Sequence, residues 1–119
     1  MPFKTRYIFV VSMDIDADKE ALFNEVYDTE HVPELLRVPG VISVTRTKKR
    51  PASLAIGGEM KEIGEGEPSY IAFYEIESPD LPSSDAWAVA SEKGRWPEEV
   101  RPFTHNRHHA MHEVTVSAP

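Results

Sequence analysis

The sequence of 119 residues contains no cysteine. Disulfides, thiolate metal sites and cysteine nucleophiles are thereby excluded, while the redox compartment stays open. No apolar run approaches the roughly 18 residues that a bilayer span requires, and the N-terminus lacks a basic segment leading into an apolar signal core. A cytoplasmic protein without membrane association is expected. Positive charge is scarce: 13 lysines and arginines stand against 20 aspartates and glutamates, a formal net charge of −7. Such a chain repels a polyphosphate backbone, and its one basic run, Lys48-Lys49-Arg50, reads as a solvated strand end. Nucleic acid is not an expected partner. What is present, 40% hydrophobic and 28% charged residues, suits one folded domain over residues 1–119 with a modest core.

Arg6 to Met13 is apolar on both strand faces, with Tyr7, Phe9, Val11 and Met13 on one and Ile8 and Val10 on the other. It reads as a central strand. Asp14, Asp16 and Asp18 follow, and the latter two are placed to cap a helix start; the glycine and distal glutamate of a calcium loop are missing. From Lys19 to His31, Leu22 and Val26 share one helical face, with Phe23 and Tyr27 one step round. Pro33 has no N–H and clashes with the carbonyl of Thr29, so the helix should end or kink near His31 and leave Glu34 to Arg37 as a short extra turn.

Pro39-Gly40 marks a turn before a second strand, Val41 to Lys48. Residues 50 to 69 hold Gly57, Gly58, Gly64 and Gly66 without a phosphate-loop pattern, and read as a long flap with a small hairpin around Leu54 to Ile63. Tyr70 to Glu77 is the second strand apolar on both faces, interrupted by Glu75, which is either paired across the sheet or turned to a cavity mouth. Ser83 or Ser84 caps a helix through Trp87 and Val89 to Lys93, Gly94 stops it, Pro97 opens a further short helix, and Arg107 to Val116 forms the last strand.

The order β, α, β, β, α, β is the ferredoxin-like plan of the α+β class, an antiparallel four-stranded sheet with both helices on one face and strands one and three central. Those two strands are the doubly apolar ones. The apolar surface of Phe9, Val11, Tyr70, Ala72 and Tyr74 exceeds what a half-exposed sheet needs, which points to a second copy packed on the open face as a homodimer.

The stretch Tyr27-Asp28-Thr29-Glu30-His31-Val32-Pro33-Glu34-Leu35-Leu36, followed by Pro39-Gly40-Val41 and the strand from Ser43 to Arg46, resembles the EthD-like branch of the dimeric α+β barrel superfamily. The resemblance implies a homodimer whose protomers each enclose a pocket. The superfamily includes cofactor-independent monooxygenases, polyketide cyclases and heme-degrading enzymes, and no residue pattern here maps onto the heme-degrading catalytic set. No cofactor is expected.

His31 is the first candidate for chemistry, because a helix C-terminus and the adjacent Glu30 and Glu34 would stabilise its imidazolium and bring its titration into a useful range. Tyr27, four residues earlier, can share a substrate hydrogen bond or hold the tautomer; alternatively both residues are structural. Trp87 and Trp96, with Phe9, Tyr70 and Tyr74, either wall an aromatic pocket or belong to the core. Arg46 holds a substrate carboxylate or lies on the surface. His105, His108, His109 and His112 would offer metal ligands on a helix, but Val114 to Val116 favours a strand. There His108 and His112 stand about 13 Å apart at ~3.3 Å per residue, and His109 points the other way. No metal is expected, and one of these histidines lining a pocket is the better reading. The functions in contention are an acid/base enzyme acting on a small hydrophobic or aromatic molecule, a non-catalytic binding or accessory protein with the same pocket, and oxygen or heme chemistry.

Overall fold

A computed structural model describes residues 3–119. The doubly apolar segments become the two central strands, β1 (Tyr7–Ile15) and β5 (Tyr70–Ile76), paired antiparallel with Phe9 opposite Tyr74 and Val11 opposite Ala72. The β2 strand (Val41–Lys48) takes the far side of β5, and the β6 strand (Thr104–Glu113) takes the far side of β1. The sheet is antiparallel throughout, in the ferredoxin-like order. Between β2 and β5 lies the expected hairpin, β3 (Ala52–Ile56) and β4 (Glu59–Ile63), turned by Gly57 and Gly58 at φ of 58° and 83°. These strands pair only with each other, and every residue of both is exposed.

One layer of helices covers one face. The α1 helix (Glu20–Val26) runs into a π-helical turn (Tyr27–His31) and then α2 (Val32–Leu36) without a break. The expected end or kink at Pro33 is thus absorbed by a wider turn, in which the Val32 N–H donates to the Tyr27 carbonyl five residues back. Asp16 sits at a helix start but makes no side-chain cap, and Asp14 instead accepts from the Ser69 N–H at 2.7 Å. The α3 helix (Asp85–Ser91) is capped as expected: the Ser84 hydroxyl accepts from the Trp87 N–H at 3.2 Å. Beyond it Gly94 takes a left-handed φ of 70°, and a Cβ there would stand 2.5 Å from a Glu30 carboxylate oxygen.

The core lies between sheet and helices, centred on Phe23, Val26, Leu35, Tyr74, Ile76 and Val100. Burying each large apolar side chain contributes ~1.5–3 kcal/mol. Val11, Tyr70, Ala72 and Tyr74 belong to this core and Phe9 packs against it, so the apolar excess assigned to the open face points at the helices instead. The opposite face presents Phe3, Val10 and Phe73, half-buried, beside a buried Ile8, while Glu75 there accepts from the Ser43 hydroxyl at 2.7 Å and the Thr5 N–H at 3.1 Å. Glu75 is thus paired and does not face the cavity. The last strand begins and ends three residues earlier than its pattern suggests, leaving Val114 to Val116 beyond it. Among the described residues, no helix is long and apolar enough to cross a membrane.

Candidate functional site

Between the helix-facing side of the sheet and the helices lies a cavity of about 260 Å³. Its walls are aromatic. Phe9 from β1, Tyr74 from β5, Trp87 from α3, Tyr27 from the first π-helical turn and Trp96 from a second one (Trp96–Val100) all reach it. The rings contact edge-on: Phe9 and Trp87 at 5.6 Å, Tyr74 and Trp87 at 5.3 Å, and Tyr27 and Trp96 at 5.0 Å. A π-turn widens the helix, bringing Tyr27 and His31, four residues apart, onto one buried face.

His31 is 7% exposed, stacked on the Trp96 ring at 4.4 Å and edge-on to Tyr27 at 5.1 Å. Its Nδ1 is buried without a hydrogen-bond partner among the described residues. The electrostatics reverse the sequence expectation. Burial pushes the imidazole pKa down to about 4, the nearby Arg101 guanidinium adds to the fall, and Glu92 offsets part of it. The chain continues helically past His31, so no helix end stabilises its cation. The neighbouring acids are engaged elsewhere: Glu30 accepts from the Arg95 N–H at 2.9 Å, and Glu34 pairs with Arg37 and Lys93 at 3.7 Å. His31 is therefore neutral near pH 7 and does not titrate there.

The Tyr27 and Tyr74 hydroxyls are 3.1 Å apart. Burial raises the pKa of both phenols, that of Tyr74 well above the ordinary tyrosine range, so both stay protonated and can donate.

Two expected ligand contacts, Tyr70 and Arg46, do not line the cavity. Arg46 lies on the other side of Tyr27, its guanidinium 4.3 Å from that ring centroid, 5.2 Å from Phe23 and 5.5 Å from Tyr70. It pairs with Asp28 and donates to Asn24 at 2.9 Å. Tyr70 bonds Glu20 and accepts from the Asn24 amide at 3.2 Å. Both side chains face the helices as their strand parity requires, but α1 fills the space above them.

Of the histidine cluster, His109 reaches the cavity and stacks on Phe9 at 6.1 Å; burial, then Arg107 and His108, lower its pKa. His105 pairs with Asp16 at 3.3 Å instead. Arg101 and Arg107 also line the cavity and escaped the sequence reading. Arg107 was legible in principle, because it shares strand parity with His109 and Met111.

No family model and no curated protein matches the sequence. Solved structures do match in shape. A mutant of MhuD, with two manganese protoporphyrin IX molecules bound per active site, aligns at a TM-score of 0.59 and 13% identity, over 95% of this chain and 98% of that one. An EthD family protein from Bacillus halodurans C-125 aligns at 0.58 and 11% identity, over 92% and 99%. At such identities the likeness is one of fold, the antiparallel four-stranded α+β sheet with helices on one face that this chain shares with both.

Proposed function

We propose that the protein takes a small aromatic hydroxy compound into the cavity and uses His31 as the acceptor of the ligand's hydroxyl proton, without a metal or organic cofactor. The observation that carries this is the unpartnered Nδ1 of His31 in an aromatic-walled cavity. A buried polar atom without a partner costs ~1–3 kcal/mol, and a ligand O–H supplies that partner. Within the protein's own surroundings the imidazole is a weak base. A bound phenol or enol changes that, since its developing oxyanion beside the ring favours imidazolium in a low-dielectric site. The Tyr27 and Tyr74 hydroxyls are close enough to each other to donate to the same oxygen.

Size narrows the ligand. Pockets for drug-sized molecules run ~300–1,000 Å³, so about 260 Å³ suits one or two fused rings. MhuD holds porphyrins, but a macrocycle does not fit this cavity, and no step through heme follows. A colourless purified protein with no Soret band on heme titration is expected. The low basicity of His31 also favours a second reading, a non-catalytic carrier of the same compounds.

The test is titration of Trp87 and Trp96 fluorescence with 2-naphthol, in the native protein and in His31→Asn and His31→Phe. Loss of about tenfold in affinity in His31→Phe, with the fold kept, is expected. Equal affinity in all three proteins would remove His31 from the site. Enzyme and carrier separate by solvent deuterium exchange into an aromatic 1,3-diketone, which only the enzyme accelerates. The homodimer belongs to this reading too, with the second copy on the face of Phe3, Val10 and Phe73. Val10→Glu should then shift the sedimentation coefficient to that of a monomer.

A further inference from the structure

The cavity lining contains no aspartate or glutamate, in a chain with 20 of them; its ionisable members are the phenols Tyr27 and Tyr74, two histidines, Arg101 and Arg107. The two arginines differ. Arg101 is engaged by Glu92, accepting at 2.9 Å, whereas Arg107 is exposed and has no ion pair among the described residues. Its charge is nevertheless felt inside the cavity, at the buried Tyr27 phenol.

Arg107 is held there by a built feature of β6. Ser12 pairs with His108 and Asp14 with His105, so Asn106 and Arg107 together stand opposite Met13 in a bulge. Asn106 takes a left-handed φ of 51°, the only non-glycine residue to do so among those described. Its side-chain amide anchors the bulge, donating to Asp14 at 3.0 Å and to the Gly66 carbonyl at 3.3 Å, with its oxygen 3.1 Å from the His108 ring. Such strain persists where the surroundings over-determine it, and here it fixes the backbone next to Arg107, which faces the cavity in alternation with His109 and Met111.

We infer that Arg107, with His109 beside it, binds a carboxylate on the ligand at the cavity rim, so that the ligand class is an aromatic hydroxy acid. The inference rests on the cavity reading above. The ring lies among Phe9, Trp87 and Trp96, its hydroxyl meets His31, and its carboxylate takes the planar fork of the free guanidinium in a charge-assisted pair. Arg107 thus fills the role that the sequence suggested for Arg46.

The experiment compares 2-naphthol, 3-hydroxy-2-naphthoic acid and 2-naphthyl phosphate by tryptophan fluorescence on the full chain near pH 7.5. The proteins are native, Arg107→Gln, Arg107→Lys and, as a charge control, Arg50→Gln. The native protein and Arg50→Gln should bind the hydroxy acid at least about tenfold tighter than naphthol. Arg107→Gln should lose that preference while keeping its naphthol affinity, and Arg107→Lys should keep part of it. Equal binding of acid and naphthol by the native protein, or an undiminished preference in Arg107→Gln, would overturn the inference while leaving the cavity reading intact. Tighter binding of the phosphate than of the acid would overturn the carboxylate assignment. Failure of all three compounds to bind would overturn the cavity reading and the inference with it.

Discussion

Tyr27 stands between two clusters of aromatic side chains that solve the same packing problem differently. On one side Arg46 lies over Tyr27, Phe23 and Tyr70, and its guanidinium is held by Asp28 and Asn24. Little space is left and the charge is paired. On the other side Tyr27, Trp96, Trp87, Tyr74 and Phe9 surround an opening, and His31 is buried with Nδ1 unpartnered. The first arrangement stabilises the fold. The second leaves a polar atom unsatisfied inside an apolar wall, which is unfavourable unless another molecule completes it. The contrast is what supports placing the proposed function on the side where the packing is incomplete.

Phe23 belongs to both, since it is fully buried and meets the rings of Tyr70 at 4.9 Å, Tyr27 at 5.4 Å and Trp96 at 6.1 Å. Phe23→Ala should therefore break the comparison altogether, with a loss of ~3–5 kcal/mol in urea unfolding and loss of ligand binding together. A loss below ~1 kcal/mol would mean that the rings do not depend on one another.

The next largest effect is confined to the cavity side. The His31 imidazole falls from 6.5 in the unfolded chain to about 4 in the fold, by burial first and Arg101 second, against Glu92. Between those values the unfolded chain binds the proton and the folded one does not, so stability is complete above pH 6.5 and declines as pH falls toward 4. The decline amounts to about 3 kcal/mol. His31→Asn should flatten that part of a stability-against-pH curve, and an unchanged slope in this variant would assign the acid sensitivity to other groups. On the Arg46 side, Arg46→Met should cost ~2 kcal/mol by removing the ring contacts and the Asp28 pair, while ligand affinity in the cavity stays unchanged.

The sheet was readable in the sequence because its signal is local. Residues apolar on both faces, Tyr7 to Met13 and Tyr70 to Ile76, can only be central strands, and Gly57-Gly58 fixes the hairpin turn. His31, Tyr27 and the ring wall were legible as chemistry-bearing side chains on inward faces. Their electrostatics were not. The direction of the His31 shift depends on burial, with Trp96 stacked on the ring, and then on Arg101, neighbours more than sixty residues away in sequence that no window reveals. The same holds for Arg46, which shares parity with inward-facing neighbours but is covered by α1, whereas Arg107 keeps the parity of His109 and Met111 and could have been read from it. The π-turn was misread because Pro33 was expected to break the helix, whereas an added residue in the turn accommodates it.

The smallest effect tests the boundary between the clusters. Tyr27→Phe keeps the ring under Arg46 and removes only the hydroxyl that meets Tyr74 at 3.1 Å. The remaining Tyr74 hydroxyl is then buried without that partner, at a cost of ~1–2 kcal/mol, and Tyr74→Phe should cost about the same for the reciprocal reason. Replacing both should cost less than the sum of the two, because no orphaned hydroxyl is left in an apolar wall. Chemical denaturation of the two single variants and the double variant closes the cycle. Simple additivity would mean that each hydroxyl finds its own partner, water or ligand, in the cavity, and the pair would then be two independent donors facing the bound molecule.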